Sequence, residues 1–348
     1  MKSKIIAALK IILPLGFGVF LMWLFYDALC DDQKKDLFSA FGKANYFWVI
    51  LGVFLGWLSH VSRAYRWKYL LEPMGYKVKF WQLYHAVMIG YVTNLVFPRA
   101  GEPARAGVIS KSDRVPFQKG FGSIIAERAV DLVMLGIIAV ITLWLQFDKV
   151  DLFQAKIDAF NSDESSCANS LIFTILGKVV VYGFILGVAG VVILLIAKKS
   201  FRKKAWDFGM GLLEGILSIF KMKKKGPFLL HTVFIWVMYP AMFWINFFAL
   251  EETSGLGLDA ALAGFVAGAI GIVLVQGGVG VYPAFVGLII TVYLPASTGA
   301  IAPEALALGW IAWTSQTIMV IVLGLLSLAL NGKNAKFDPD EPTTEIEG

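Results

Sequence analysis

The chain has few charged side chains, and this shortage excludes a water-soluble globular protein. Asp, Glu, Lys and Arg together make up 16% of its 348 residues, whereas 58% of the residues are hydrophobic. Soluble domains carry roughly 25% charged residues. With a mean hydropathy of +0.71, the composition predicts an all-α polytopic integral membrane protein.

Cysteine and histidine are also scarce, which removes further classes of protein. The two cysteines, Cys30 and Cys167, cannot form a disulfide-rich scaffold, although one disulfide between them is permitted. The three histidines, His60, His85 and His231, have no metal-ligand spacing with either cysteine. Nucleotide-binding glycine loops and a Ser-His-Asp order are missing as well. We therefore expect no metal, no cofactor and no catalytic site.

Long apolar runs are what the chain has instead. With their flanks, six of them are long enough to cross a bilayer as helices. Two further apolar stretches, about 81–96 and 260–294, are interrupted by Pro, Gly, Asn or Gln and are predicted to be broken helices. The six predicted spans are 11–26, 46–58, 132–147, 171–197, 228–250 and 305–330.

The basic residues predict the orientation, because cytoplasmic loops are rich in Lys and Arg. Segment 198–225 is strongly basic, whereas segments 148–169 and 251–259 are acidic. Both termini are then cytoplasmic, and the net charge of +6 needs no nucleic-acid partner. A first basic loop, also placed on the cytoplasmic side, contains Arg63, Arg66, Lys68, Lys77 and Lys79.

Counting crossings between these loops predicts two re-entrant hairpins. Residues 81–120 leave the cytoplasmic face and return to it, and residues 260–294 do the same from the outer face. Paired hairpins of this kind are typical of inverted repeats in secondary transporters. The alternative is a pair of ordinary helices with Gly and Pro kinks. In either case residues 1–335 form one membrane domain, followed by a short, acidic, disordered tail at 336–348.

Charged residues interrupt the apolar sequence near the first hairpin. Ionisable groups at membrane depth are costly, so they survive where they pair, face a cavity or bind a ligand. Pro98 is expected to end one helix and Gly101 to permit the turn. Arg99 and Arg105 then offer bidentate donors to a phosphate. The charged residues are Arg99, Glu102, Arg105, Glu127, Arg128 and Asp131.

A purely structural interpretation of the same charges is also open. Glu127 and Asp131 lie four residues apart, so on a helix they share a face that can pair with the arginines of the hairpin. Arg128 points about 100° away from them, and Glu102 is placed to orient one arginine. The six residues balance in charge, so they can also form a neutral network that only fixes the hairpin against its neighbour.

Three motifs resemble the lysylphosphatidylglycerol synthase transmembrane, or flippase-like, domain family. They are Asn94-x-x-x-Pro98-x-x-Gly101-Glu102-x-x-Arg105, Glu127-Arg128-x-x-Asp131 and Gly277-Gly278-x-Gly280. The resemblance implies a membrane protein that binds or translocates lipids, with the residues of these motifs in its site. It covers the membrane domain only, without a synthase domain. The chain departs from the family pattern at Gln276 and Pro283, where the family commonly has Pro and an acidic residue.

The motifs and the resemblance together predict a lipid transporter of the cell membrane. An anionic phospholipid or a polyprenyl-linked lipid would be captured by its head group between the hairpins, and one half of the protein would rock against the other. Two alternatives stay open: a lipid-modifying enzyme that uses the carboxylates as acid and base, and a scaffold for an envelope enzyme. The sequence specifies neither the lipid nor the oligomeric state.

Overall fold

A computed structural model describes most of the chain, and it is helical. The described ranges are 29–97, 99–149, 224–294 and 301–334, with single positions or short pieces at 16–27, 151 and 198–210. Short 3-10 turns continue several of the helices. In the described ranges the helices are α1 Asp31–Lys43, α2 Tyr46–Leu71, α3 Phe80–Val96, α4 Gly101–Ser112, α5 Phe117–Gln146, α6 Lys225–Trp244, α7 Glu251–Ser254, α8 Leu258–Leu274, α9 Val281–Tyr293 and α10 Pro303–Asn334.

Four helical stretches in the described part are long and apolar enough to cross a membrane. They are Tyr46–Met74, Phe117–Lys149, Lys225–Ala249 and Pro303–Asn331. These stretches contain or closely match four of the six predicted spans, and the all-α membrane fold is therefore confirmed. The predicted span 171–197 and the tail 336–348 lie outside the described residues, as does much of the first span.

Local sequence explains how the first two helices begin. α1 has Asp31 and Asp32 in its first turn and Lys43 in its last, which complements the helix dipole. One side of α1 is charged and exposed, and its opposite side buries Leu37. The start of α2 is capped by Asn45, whose side chain accepts a hydrogen bond from the Phe47 N–H at 3.1 Å.

Helices α3 and α4 form the first hairpin. Its arms have 17 and 12 residues, whereas a spanning helix needs about 20. The arms touch at Gly90 and Gly101, where a Cβ on Gly101 would collide with the Gly90 carbonyl oxygen. The Asn94 side chain accepts a hydrogen bond from the Gly101 N–H at 2.7 Å, and so satisfies one of the first donors of α4.

Helices α8 and α9 form the second hairpin, with arms of 17 and 13 residues. Its tip contains Gly277, Gly278 and Gly280, whose φ angles of 70°, 69° and 71° lie in the left-handed region that favours glycine. The ring of Tyr282 lies where a Cβ on Gly268 would be, so the arms are in close contact.

The two hairpins meet at their tips and share one supporting helix. Gly277 of the second tip lies beside Leu95 near the end of α3, 3.6 Å from the position of a Cβ on Gly277. Helix α10 presents Gly309 to the backbone of Pro283 in α9 and Gly324 to Val92 in α3. The structure therefore contains a pair of short, closely packed helices at each predicted hairpin, and their re-entrant path through the membrane stays a prediction.

Candidate functional site

The centre of the charged site is Glu127 of α5, which is completely buried and faces three arginines. Arg105 of α4 binds it in a bidentate manner, with Nη1 donating to Oε1 at 3.1 Å and Nη2 donating to Oε2 at 2.8 Å. Arg63 of α2 donates to Oε1 at 2.7 Å, and Nη2 of Arg66 lies 3.1 Å from the same oxygen. Glu127 therefore ties α2 and α4 to α5.

Asp131, one helical turn further along α5, extends the network. It accepts hydrogen bonds at 2.8 Å from Nη1 of Arg63 and, at its other oxygen, from Nη1 of Arg66. The indole N–H of Trp236 in α6 donates to it at 3.2 Å. The Tyr239 hydroxyl accepts from Nη2 of Arg63 at 2.8 Å. Four helices are thus joined through two carboxylates.

Aromatic packing fixes the arginines in place. The Arg105 guanidinium lies 3.9 Å from the ring centre of Trp67, within the range of a cation–π contact. The Trp67 indole N–H in turn donates to the Ser123 hydroxyl at 2.8 Å. The side chains of Arg63, Arg66 and Arg105 are at most 4% exposed, so this part of the site is closed to the surface.

The site opens at its edge, where the charges are half-exposed. Arg128 is 41% exposed, and its guanidinium lies 3.1 Å from Glu102 and 3.7 Å from Asp131. Arg99 is exposed at the tip of the first hairpin, with a φ of 58° that is uncommon for a residue other than glycine. Arginine is therefore accessible on α5, at the edge of the network, and at the tip of the first hairpin.

Arginine outnumbers the carboxylates in this network. The joined residues are four arginines (Arg63, Arg66, Arg105, Arg128) and three carboxylates (Glu102, Glu127, Asp131), which leaves one positive charge. Within the described part of the chain, the Nε atoms of all four arginines are buried and have no hydrogen-bond partner. A positive excess in an apolar protein favours an anionic ligand.

The structure brings some of the predicted site residues together and separates others. Glu102, Arg105, Glu127, Arg128 and Asp131 meet in the network, and Glu102 pairs with Arg128. Asn94 and Gly101 shape the hairpin, and Arg99 lies at its tip. The other predicted residues are elsewhere: Gly277, Gly278 and Gly280 form the second tip, where the Trp313 indole donates to the Gly277 carbonyl at 2.7 Å, and Pro98 lies outside the described residues.

The loop-charge rule predicts the wrong position for two central arginines. It places Arg63 and Arg66 in a cytoplasmic loop, but α2 continues to Leu71 and buries both of them. The loop-charge rule assumes that arginine lies outside the membrane, and it fails here because Glu127 and Asp131 compensate the charge. The signal in the sequence is the spacing of Arg63 and Arg66: they are three residues apart, which places both on one face of a helix.

Comparison with known proteins places the chain in a family. The family described as the lysylphosphatidylglycerol synthase TM region matches residues 6–324. The glycosyltransferase AglD of Haloferax volcanii is 31% identical over 112 residues, which cover 32% of this chain and 18% of that protein. A UPF0104 membrane protein of Methanocaldococcus jannaschii is 31% identical over 134 residues, 38% of each chain.

Another UPF0104 membrane protein, of Methanothermobacter thermautotrophicus, is 26% identical over 119 residues, 32% of this chain and 35% of that one. The chain thus spans 18% to 38% of the length of these curated relatives. No solved structure matches it. Because the family match covers most of the sequence and contains all three motifs, this chain belongs to the lysylphosphatidylglycerol synthase TM region family.

Proposed function

We propose that this protein binds an anionic membrane lipid by its head group and moves it between the leaflets of the cell membrane. The observation that carries the proposal is the positive excess of the charged network, which is half-open beside the tip of the first hairpin. The ligand class is an anionic phospholipid or a polyprenyl-linked lipid phosphate. Both offer the negative oxygens that arginine binds in a bidentate manner.

Arg99 and Arg128 are the head-group ligands in this proposal. Both are accessible from the edge of the network, whereas both Nη atoms of Arg105 are already bound to Glu127. Arg105 therefore positions the hairpin, and Glu102 orients Arg128 from 3.1 Å. A phosphate that approaches Arg128 would compete with Glu102 for its guanidinium and would add the negative charge that the network lacks.

Movement of the lipid follows from the way in which the hairpins are attached. Ion pairs join the first hairpin to α2 and α5, and hydrogen bonds join α6 to them, so these elements form one unit. The second hairpin packs on α10, and it contacts that unit at the tips, near Leu95 and Gly277, and along α8, where Gly264 lies against Phe243 of α6. Rocking of one half against the other would open the edge of the network to each side in turn. In our assignment both termini are cytoplasmic.

The enzymatic alternative receives less support from the geometry. A general acid or base must exchange a proton with its substrate. Glu127 and Asp131 each accept hydrogen bonds from at least two charged or polar donors, and both are buried. Glu102 is the carboxylate of the network that is accessible, and it is paired with Arg128.

A transport assay in liposomes tests the proposal. Protein reconstituted with fluorescent phosphatidylglycerol should move the probe across the bilayer. Arg99→Gln and Arg128→Gln should each slow this movement about tenfold or more, because a hydrogen bond to a charged group contributes about 1.5–3 kcal/mol. The matched control is Lys35→Gln, which removes an exposed charge from α1 that is paired with Asp32 at 2.8 Å.

Equal rates for the wild type, both arginine variants and the control would contradict the head-group site. Fluorescent phosphatidylcholine, which has no net charge, serves as the lipid control and should move more slowly than phosphatidylglycerol. Equal rates for the two lipids would contradict the preference for an anion.

A second candidate function is that of a membrane partner for an envelope enzyme. The observation in its favour is that a relative named as a glycosyltransferase contains a segment similar to part of this chain. An enzyme that copurifies with the wild type and with Arg99→Gln alike, in the absence of lipid movement, would favour this role over transport.

A further inference from the structure

A cavity of about 770 Å³ is lined by none of the residues of the charged network. Its walls come from the helical positions before α1, from α1 itself, from the start of α2, and from α9 and α10. Cavities that bind small ligands measure about 300–1,000 Å³, so this one has the size of a binding site. No part of the proposed head-group site lines it.

The described lining residues carry no charge. Buried apolar side chains form the floor, with Leu37, Val49 and Ile311 among them. The aliphatic hydroxyls of Thr314 and Ser315 are among its few polar groups. A charged ligand would lose its hydration here without gaining a partner, at a cost of several kcal/mol. The chemistry of the lining therefore fits a hydrocarbon.

The mouth of the cavity is apolar as well. Trp23, Phe38, Tyr46 and Ile318 line the cavity, and they are 56%, 61%, 52% and 55% exposed, respectively. Exposed apolar side chains of a membrane protein face lipid. A hydrocarbon chain can therefore enter from the side without passing through water.

Helix α1 indicates how deep in the membrane the opening of the cavity lies. It turns Asp32 and Lys35 outwards, where they pair at 2.8 Å, and it turns Leu37 and Phe38 towards the cavity. A helix with one charged and one apolar face lies in the interface between bilayer and water. The cavity is then directly beneath the head-group layer, in the outer half of the membrane in our assignment.

We propose that this cavity binds an acyl chain of a membrane phospholipid. This inference rests on the proposed function and specifies the lipid class for it. A volume of about 770 Å³ accommodates one acyl chain.

The second hairpin connects this cavity with the head-group site. Gly280 lines the cavity and belongs to the tip whose Gly277 contacts Leu95 of the first hairpin. The tip of the second hairpin is therefore in contact with both the cavity and the first hairpin, whose tip carries Arg99. The cavity provides a place for the chain on the outer half of the transport path.

Photocrosslinking tests this proposal in the full-length protein. The protein is placed in nanodiscs that contain phosphatidylglycerol with a diazirine on its acyl chain, and adducts are mapped by mass spectrometry. We expect adducts at Phe38 and Ile318 in excess of those at Val273, which is 76% exposed and lies outside the cavity. Thr314→Trp should lower the yield at Phe38 about tenfold, because an indole fills the space that the chain needs.

Thr317→Trp is the matched control, since it makes the same change one turn further along α10 at a residue that does not line the cavity. Should Thr314→Trp fail to fold, Ile318→Trp narrows the mouth instead. Adducts at Phe38 no more frequent than at Val273, or equally lowered by both Thr variants, would overturn the acyl-chain site. Displacement of the probe by polyprenyl phosphate but not by unlabelled phosphatidylglycerol would overturn the assignment to an acyl chain.

The outcome can be separated from that of the transport proposal. Cavity adducts that persist in a protein that moves no lipid would contradict transport and leave the acyl-chain site in place. Normal transport of phosphatidylglycerol by Thr314→Trp, without cavity adducts in the wild type, would contradict the cavity site alone.

Discussion

The two hairpins have similar arms, yet different forces hold them in the protein. The first, α3 and α4, is tied to α5 by the bidentate ion pair of Arg105 with Glu127. The second, α8 and α9, is held by close packing, with the backbone of Pro283 directly against Gly309 of α10. A buried ion pair thus attaches the first hairpin to its neighbour, whereas the ion pair of the second, Asp259 with Lys149 at 3.1 Å, is partly exposed and its closest contact with α10 is made by a glycine.

This difference has a consequence for movement. Breaking a buried ion pair leaves an uncompensated charge, so the first hairpin is expected to move only together with α5. Packing of small residues depends on van der Waals contact and interhelical fit, and each contact contributes little by itself. The contacts of the second hairpin are therefore expected to give way at lower cost than the ion pairs of the first.

The largest effect is expected for Glu127→Ala, which removes the acceptor shared by Arg63, Arg66 and Arg105. The uncompensated charges should destabilise the protein by about 3–5 kcal/mol. The yield of monodisperse protein and its thermal midpoint in detergent measure this loss. Glu252→Ala, at an exposed position of α7, is the control and should change neither. An unchanged midpoint for Glu127→Ala would remove the distinction between the two hairpins.

Gly309→Ala tests the packing of the second hairpin. The new Cβ would lie 2.6 Å from the Pro283 carbonyl oxygen and 2.8 Å from its Cα, so α9 and α10 must separate. Overpacking of this kind costs about 1–3 kcal/mol. The control is Gly136→Ala, where nothing lies within 4 Å and a gain of up to about 1 kcal/mol is expected from helix propensity. Equal midpoints for the two variants would contradict the close approach.

Trp313→Phe tests how the second tip is fixed. It removes the indole N–H that donates to the Gly277 carbonyl at 2.7 Å, and the expected loss is about 1 kcal/mol. Hydrogen exchange should rise in the peptide that contains Gly277. Asn94→Ala, which removes the corresponding contact within the first hairpin, should raise exchange near Gly101 instead. Unchanged exchange near Gly277 in Trp313→Phe would show that the tip is held by other contacts.

The smallest effect is expected for Lys224→Gln, which breaks an exposed ion pair with Glu72 at 2.8 Å. The hydrogen bond that Lys224 donates to the Glu72 carboxylate raises the pKa of Lys224 above its ordinary value. Its contribution to stability is therefore complete below the ordinary lysine pKa and is lost as the pH rises through the raised value. Exposed pairs contribute little, so the thermal midpoint at neutral pH should not change measurably.

A drop in the midpoint as large as that of Trp313→Phe would contradict this ranking. Any small difference between Lys224→Gln and the wild type should also disappear at strongly alkaline pH, where Lys224 is neutral in both states.

The sequence predicted both pairs of short helices. Three of their four outer ends lie within two residues of the predicted bounds, and the first pair ends at Ser112 instead of near residue 120. Pro and Gly interrupt the apolar stretches at the tips, and broken apolar stretches are too short to span. The pairing of Glu127 with an arginine of the hairpin was also predictable, because a spacing of four residues places Glu127 and Asp131 on one helix face. The sequence permits a disulfide between Cys30 and Cys167, and Cys167 lies outside the described residues.

Other features of the site could not be predicted from the sequence. Arg63 and Arg66 look like loop residues until α2 is packed against the carboxylates of α5. The sequence leaves Arg105 open to a phosphate or to a carboxylate of α5. Only the folded geometry shows that both of its Nη atoms bind Glu127. The cavity has no sequence signature, because its walls come from helices far apart in the chain.

By itself, the sequence determined that the protein lies in a membrane and that it is helical. It also determined that two apolar stretches are interrupted and that charged residues occur within apolar segments. These follow from composition and from patterns within one segment, where the bilayer sets the length and the polarity that are allowed. The tertiary structure decided which charges pair, which arginines remain accessible and where an apolar cavity forms. These depend on contacts between α2, α4, α5 and α6, or between α1 and α10, and no pattern within a single helix specifies such contacts.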